Sequence, residues 1–193
     1  MHYPIKFENV LPYWLFRSLQ DEYYFNGWIF NNVSNVPEEY SGSQRKSWSM
    51  NHQPNNQLIF YEIATHVKYK IKKKIQKDIS FIRAHTNGYV YGQTGGFHKD
   101  FVIDNVWTFV LFTSPNWDTQ WGGEFVCYDR ENDEYHYVPY IPTSGALIPS
   151  NWENYGSAPN ELANSLRTTL ALSFAEKKML ESVKEIKIVK RFI

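Results

Sequence analysis

From Ile79 to Phe174 the chain contains ISFIRAH (79–85), YVYGQ (89–93), VWTFVLFT (106–113), GEFVCYD (123–129), YHYVPYI (135–141), GALIPS (145–150) and RTTLALSF (167–174). Each segment is short and rich in β-branched or aromatic residues, the composition of a strand. Between them lie NG, TGG, SPNWD, GG, DREND and PTSG, which is loop and hairpin chemistry. At least seven short strands in under 100 residues predict a sandwich or jelly roll. Within VWTFVLFT, Trp107, Phe109 and Leu111 alternate with Thr108, Val110 and Phe112. Both sets are mostly large and apolar, so this strand should be buried on both faces.

The flanks are read against that block. Leu58, Ile59, Ile63, Val67, Ile71 and Ile75 form an apolar stripe at helical spacing, predicting a long helix over about 56–76. It should pack outside the jelly roll. Lys68, Lys70, Lys72, Lys73, Lys74 and Lys77 cover its other face, which reads first as solvated and only second as a contact for an anionic partner. Pro12 opens a shorter helix over 13–23, NGWIFNN (26–32) reads as turn then strand, and 35–45 has loop composition. The charged tail from Ala175 is a helix or extended segment docked on the body. The expected organisation is one domain over 1–193: a helical and mixed support region (1–78), a jelly-roll core (79–174) and a tail (175–193).

Composition narrows the function classes. The 193 residues carry 20 Lys+Arg and 20 Asp+Glu, a net charge of zero, which argues against a polycation for nucleic acid. Aromatic residues make up 18%, which argues for a substantial core rather than disorder. One cysteine, Cys127, excludes an intrachain disulfide framework and a cysteine-rich zinc module. No apolar run approaches the roughly 20 residues of a membrane span, and MHYPIKFENV lacks a signal-peptide pattern. A cytoplasmic globular protein is the expectation.

GGFHKDF carries the first candidate chemistry, His98 and Asp100. In an extended segment residues i and i+2 project from one face, so an imidazole and a carboxylate converge while Lys99 points away. That is part of a facial triad, two His and one carboxylate on one side of an iron. The pair alone is also what a surface His–Asp hydrogen bond looks like.

Several segments in order resemble the prolyl-4-hydroxylase-like branch of the Fe(II)/2-oxoglutarate-dependent oxygenases, notably its small bacterial and phage-type members. YVYGQTGGFHKD resembles the strand and loop ending in the metal-binding His-x-Asp. WTFVLFTSPNWDTQWGGEFVCY resembles the next strand, its hairpin and the Gly-Gly strand. GALIPSNWENYGSAP followed by RTTLALSF resembles the strands bearing the distal metal ligand and the cosubstrate's basic residue. The resemblance covers about 89–174. It implies a double-stranded β-helix, a distorted jelly roll, with Fe(II), 2-oxoglutarate and dioxygen as cofactor and cosubstrates. It implies His98 and Asp100 as metal ligands, Tyr89 as a hydrogen-bond partner of the cosubstrate, and Arg167 as the partner of its distal carboxylate. A guanidinium fork can give a carboxylate two parallel hydrogen bonds. Thr108 and Thr169 are further candidates for the cosubstrate pocket, Tyr91 and Trp152 for the substrate pocket, and Trp48 for a lid. Gly122 and Gly123 read as structural, permitting a bend or a close approach.

One position departs from the family pattern. The slot of the distal metal-binding histidine holds Asn154, 54 residues past Asp100, and no histidine follows His136. An amide oxygen is a weaker donor than an imidazole nitrogen. Three explanations fit: an engineered change that blocks turnover, a natural member with altered metal affinity or chemistry, or a pseudoenzyme that keeps the fold and a pocket. Entry of His136 or His85 into the metal site is disfavoured by strand order.

The resemblance implies hydroxylation of a peptide or protein in the manner of a prolyl hydroxylase; a small molecule, sugar or nucleotide remains open because fold does not fix substrate. The competing classes are a non-catalytic binding protein on the same fold and, more weakly, a cupin-like domain. Cupins usually place more histidines in the first metal motif and do not call for Arg167 thirteen residues past the distal slot.

Overall fold

Strand β5 (Val106–Phe112) is buried at every residue, and its alternation sorts its side chains into two cores. Trp107, Phe109 and Leu111 join a core shared with the helices, whereas Val110 and Phe112 join a second core with Phe125, Cys127, Val138, Tyr140, Ala146 and Ile148. The expectation of a strand covered on both faces holds, and β5 is the wall between a helical layer and the inside of a barrel.

The computed structural model describes residues 2–25, 27–33, 46–50 and 58–180. In chain order the remaining elements are β1 (Ile5–Phe7), α1 (Tyr13–Phe25), β2 (Ile29–Val33), β3 (Lys46–Ser49), α2 (Leu58–Ile75), β4 (Ile79–Tyr89), β6 (Phe125–Asp129), β7 (Glu134–Val138), β8 (Gly145–Pro149), β9 (Glu153–Gly156) and β10 (Arg167–Glu176). They form a seven-stranded sheet in the order β1-β8-β5-β10-β4-β3-β2 and a three-stranded sheet in the order β7-β6-β9. An isolated antiparallel bridge from His98 to Asn154 extends the smaller sheet by one short rung. Two facing sheets whose strands alternate between them along the chain make a double-stranded β-helix, as expected.

The helices are where the apolar stripes place them, except that Leu58, at the first turn of α2, is exposed rather than part of the buried face. Ile63, Val67, Ile71 and Ile75 of α2 and Leu15, Phe16 and Leu19 of α1 are buried against the back of the large sheet, with Phe109, Leu147, Leu170, Leu172 and Phe174. The lysine face of α2 is used locally: Lys72 pairs with Asp78 at 2.5 Å and Lys70 donates to the Asn9 carbonyl at 3.1 Å. No helix among the described residues is long and apolar enough to cross a membrane.

Some readings change. ISFIRAH and YVYGQ are not two strands joined by an Asn-Gly turn. Asn87 and Gly88 lie inside β4, paired with Thr169 and Thr168 of β10. A hairpin turn needs positive φ, whereas Gly88 supplies clearance: a Cβ there would lie 2.9 Å from Leu166 and 3.1 Å from Trp28. Trp48 pairs with Gly88 and therefore shares that face, on the helix side of the sheet rather than over the barrel mouth. β10 runs on to Glu176, two residues past the predicted end. The predicted loop at 35–45 and most of the predicted tail fall outside the described residues, as does the start of the predicted helix at 56–57.

Candidate functional site

Cross-strand register builds the site. On β4, Arg83, His85, Asn87 and Tyr89 alternate onto one face and pair with Ser173, Ala171, Thr169 and Arg167 of β10. The GGFHKD segment crosses opposite that face. A Cβ on Gly95 would sit 3.0 Å from the Tyr89 hydroxyl, and Arg83 Nη2 reaches Asp100 Oδ1 at 3.1 Å.

His98 and Asn154 are held together by backbone: each amide donates to the other's carbonyl, at 3.1 and 2.9 Å. The His98 Nδ1–H donates to the Gly96 carbonyl at 2.8 Å. A carbonyl can only accept, so this bond fixes the tautomer and leaves Nε2 as the free acceptor. Nε2 lies 3.9 Å from Asp100 Oδ1. Asn154 is 4% exposed, and its Nδ2 donates to the Trp152 and His98 carbonyls at 3.3 and 3.4 Å, which leaves the amide oxygen to accept. An imidazole nitrogen and a carboxylate oxygen are thus brought together, and the residue paired with His98 across the bridge is Asn154. Metal–ligand bonds of about 2.0–2.2 Å to N and O span up to roughly 4.2 Å, so the 3.9 Å gap between His98 and Asp100 admits one cation. The donor set fits a hard or borderline divalent metal.

Arg167 occupies the other end of the same interior. It is 1% exposed and forms no ion pair among the described residues. Its Nε donates to the Gly123 carbonyl at 2.6 Å and Nη2 to the Glu124 carbonyl at 3.4 Å; the Glu124 carboxylate instead accepts from Ser157 Oγ at 2.6 Å. Burial lowers the guanidinium pKa, opposed by the fields of Tyr140, Tyr89 and Glu124. The charge lies between two rings, 5.1 Å from the centroid of Tyr140 and 5.5 Å from that of Tyr89, a favourable cation–π arrangement. A guanidinium has five donors, and these bonds use two of them.

Glycines make the room. A Cβ on Gly123 would lie 2.9 Å from Arg167 Cδ, and one on Gly156 would lie 3.0 Å from Nη1. Gly123 also has φ +81°, where side chains are strained. The start of β10 is pinned by a buried network: Ser114 N–H donates to the Tyr140 hydroxyl at 2.7 Å, which donates to the Thr168 carbonyl at 2.5 Å. Thr113 Oγ1 donates to Thr168 Oγ1 at 2.9 Å.

The other candidates are placed as follows. Tyr89 is buried beside Arg167; burial raises its phenol pKa, opposed by the Arg167 charge and a hydrogen bond with Ser47. Thr169 shares the face of Arg167, between Asn87 and Phe112. Thr108 pairs with Ser173 and hydrogen-bonds Ser150 at 2.9 Å. It stands six residues along β10 from Arg167, about 20 Å at a strand's rise, so it is not brought to the guanidinium. Tyr91 is 63% exposed in the turn after β4. Trp152 stacks on His136 with ring centroids 5.9 Å apart and meets Tyr3 edge-on. That stacking holds His136 against Trp152. The sequence reading missed Arg83, Ser47 and Tyr140, which touch Asp100, Tyr89 and Arg167 respectively. None stands in a local motif; an arginine alternating with Tyr89 on one strand was the only signal.

No protein-family model matches the chain, and no curated protein matches it. Solved structures do. A prolyl-4-hydroxylase from Pseudomonas putida superposes with a TM-score of 0.65 at 16% identity, covering 92% of this chain and 94% of that one. An oxidoreductase of the 2OG-Fe(II) oxygenase family from Burkholderia pseudomallei gives 0.71 at 9% identity, covering 89% and 84%. A prolyl hydroxylase from Trichoplax adhaerens, in complex with a hypoxia inducible factor peptide fragment, gives 0.62 at 14% identity, covering 90% and 84%. At these identities the likeness is one of architecture, and the chain has the fold of the 2OG-Fe(II) oxygenases and prolyl hydroxylases.

Proposed function

We propose that the chain is an Fe(II)- and 2-oxoglutarate-dependent dioxygenase that hydroxylates a peptide or protein in the manner of a prolyl hydroxylase. The observation that carries this reading is Arg167: a fully buried guanidinium with no carboxylate partner among the described residues, sharing the barrel interior with His98 and Asp100. An unpaired buried cation is costly, and a dicarboxylate whose far end meets the guanidinium removes that cost. His98 Nε2, Asp100 and the Asn154 amide oxygen would hold the iron, and Tyr89 would flank the cosubstrate.

The overall reaction consumes a C–H bond, dioxygen and 2-oxoglutarate and yields the C–OH product, succinate and carbon dioxide. Bound iron supplies the redox chemistry that activates dioxygen. The protein's residues do the rest. Arg167 orients the dicarboxylate, the Gly96 carbonyl holds the His98 tautomer, and the apolar wall of Val110, Phe112 and Ile148 excludes water from the interior. The peptide or protein substrate is supported by prolyl hydroxylases among the similar structures, one of them in complex with a peptide fragment.

Asn154 supports a second reading, a non-catalytic binding protein on the same fold. Iron content and 2-oxoglutarate-dependent succinate formation, measured on the chain and on Asn154→His, separate the two. Succinate from the chain, or from the histidine variant alone, supports the oxygenase scaffold. Absence of both iron binding and succinate formation in both forms overturns it.

A further inference from the structure

Asp100 Oδ1 has two neighbours. His98 Nε2 lies 3.9 Å away, across the gap that admits a cation, and Arg83 Nη2 lies 3.1 Å away in a hydrogen-bonded ion pair. The oxygen that faces the histidine is therefore the one the guanidinium holds. Arg83 is tied to the same short segment twice more, by Nη2 at 3.5 Å from the Asp100 carbonyl and by stacking 4.8 Å from the centroid of Phe101. Its side chain is 42% exposed while that of Asp100 is 12% exposed, so the arginine has water to swing into and the carboxylate does not.

Asp100 is the one carboxylate among the three donors, and the Arg83 guanidinium lies against it. A dication approaching the site meets a neutralised carboxylate and a like charge beside it.

We propose that Arg83 is a latch on the metal-binding carboxylate. It holds Asp100 Oδ1, and cation loading requires it to swing toward solvent. The inference rests on the metal site proposed above and adds a regulatory element to it: affinity for the cation is set by competition within the chain, not by the three donors alone. Any condition that draws Arg83 away, such as an anionic group at the mouth of the barrel, favours loading.

Mn(II) is the probe, because it binds O and N donors without needing turnover. Free Mn(II) is counted by electron paramagnetic resonance during titration of the full chain, Arg83→Gln and Arg83→Lys, each also carrying Asn154→His. Removing a partly exposed ion pair and a nearby like charge should tighten binding by roughly threefold to tenfold in Arg83→Gln. Arg83→Lys, a point charge without the fork, should fall between. The same ordering should persist in the Asn154→His background. Equal or weaker binding by a folded Arg83→Gln overturns the latch, and so does an Arg83→Lys that binds no more tightly than the unmutated chain, because a lysine keeps the charge but not the fork. Absence of Mn(II) binding in all six proteins overturns the metal site itself and the latch with it.

Discussion

His98 and Asn154 exchange both of their backbone hydrogen bonds, N–H to carbonyl in each direction at 3.1 and 2.9 Å. Directly opposed residues of an antiparallel pair project to the same side, so the side chain at position 154 is aimed with that of His98 whatever its chemistry. Replacing Asn154 by histidine supplies a stronger donor in a position the backbone already fixes. Divalent-metal affinity should rise by at least about tenfold, the lower end of what altering a ligand's support costs. Mn(II) titration of the two forms measures it, and an unchanged affinity counts against Asn154 as a ligand position.

Arg167→Met should separate binding from stability. The arginine is buried without an ionic partner among the described residues, so an apolar side chain of similar length should leave the unfolding temperature unchanged or higher. The unmutated chain should gain stability with 2-oxoglutarate by about 2.7 kcal/mol at a hundredfold excess over Kd. The variant should gain none. Thermal unfolding with and without the dicarboxylate reads both effects.

Gly123→Ala should be costly. The φ of +81° disfavours a side chain, and the new methyl would meet Arg167 Cδ at 2.9 Å. A loss of about 1–3 kcal/mol is expected from backbone strain, with weakened 2-oxoglutarate binding because Arg167 must shift. Urea unfolding gives the first quantity and ligand-induced thermal shift the second.

Cys127 should resist thiol reagents in the folded protein. It is fully buried, and burial together with the Asp129 charge pushes its pKa up to about 12. A raised folded pKa gives a stability contribution that is intact below the unfolded value, 9.0, and is lost as pH rises from there toward 12. A chromogenic disulfide reagent at pH 8 should label it only after denaturation; fast labelling of the native protein would contradict its placement.

Phe109→Ala should destabilise the fold by about 3–5 kcal/mol, as for other buried large-to-small changes. The ring fills the helix-side core, touches Phe7 edge-on at 5.4 Å and closes over Gly145. The change points away from Arg167, so dicarboxylate binding per folded molecule should be retained.

The barrel could be read from the sequence because strands such as β5 state their environment in every residue. β1 and β3 could not, since three or four residues carry no periodicity. Asn87-Gly88 misled because a dipeptide suited to a hairpin here serves clearance inside a long strand. His98 and Asp100 were legible through two-residue alternation in one segment. Arg83 and Tyr140 were not: each meets its partner only when separate strands close the barrel, 17 residues apart for Arg83 and Asp100. Among fourteen tyrosines nothing local marks the one beneath the guanidinium.

β1 ends its search for a partner very late. Ile5 pairs with Leu147 and Phe7 with Gly145, so β1 borders a strand made 142 residues after Ile5, by the difference of the paired positions. At roughly 5–20 residues per second that is about 7–30 seconds of synthesis. Throughout it the edge of the large sheet stays open and the apolar residues of β1 have no seat. Closing this part of the fold waits on that late strand, and non-local pairing of this kind is slow, so β1 has to be kept from other unpaired strands until β8 is made.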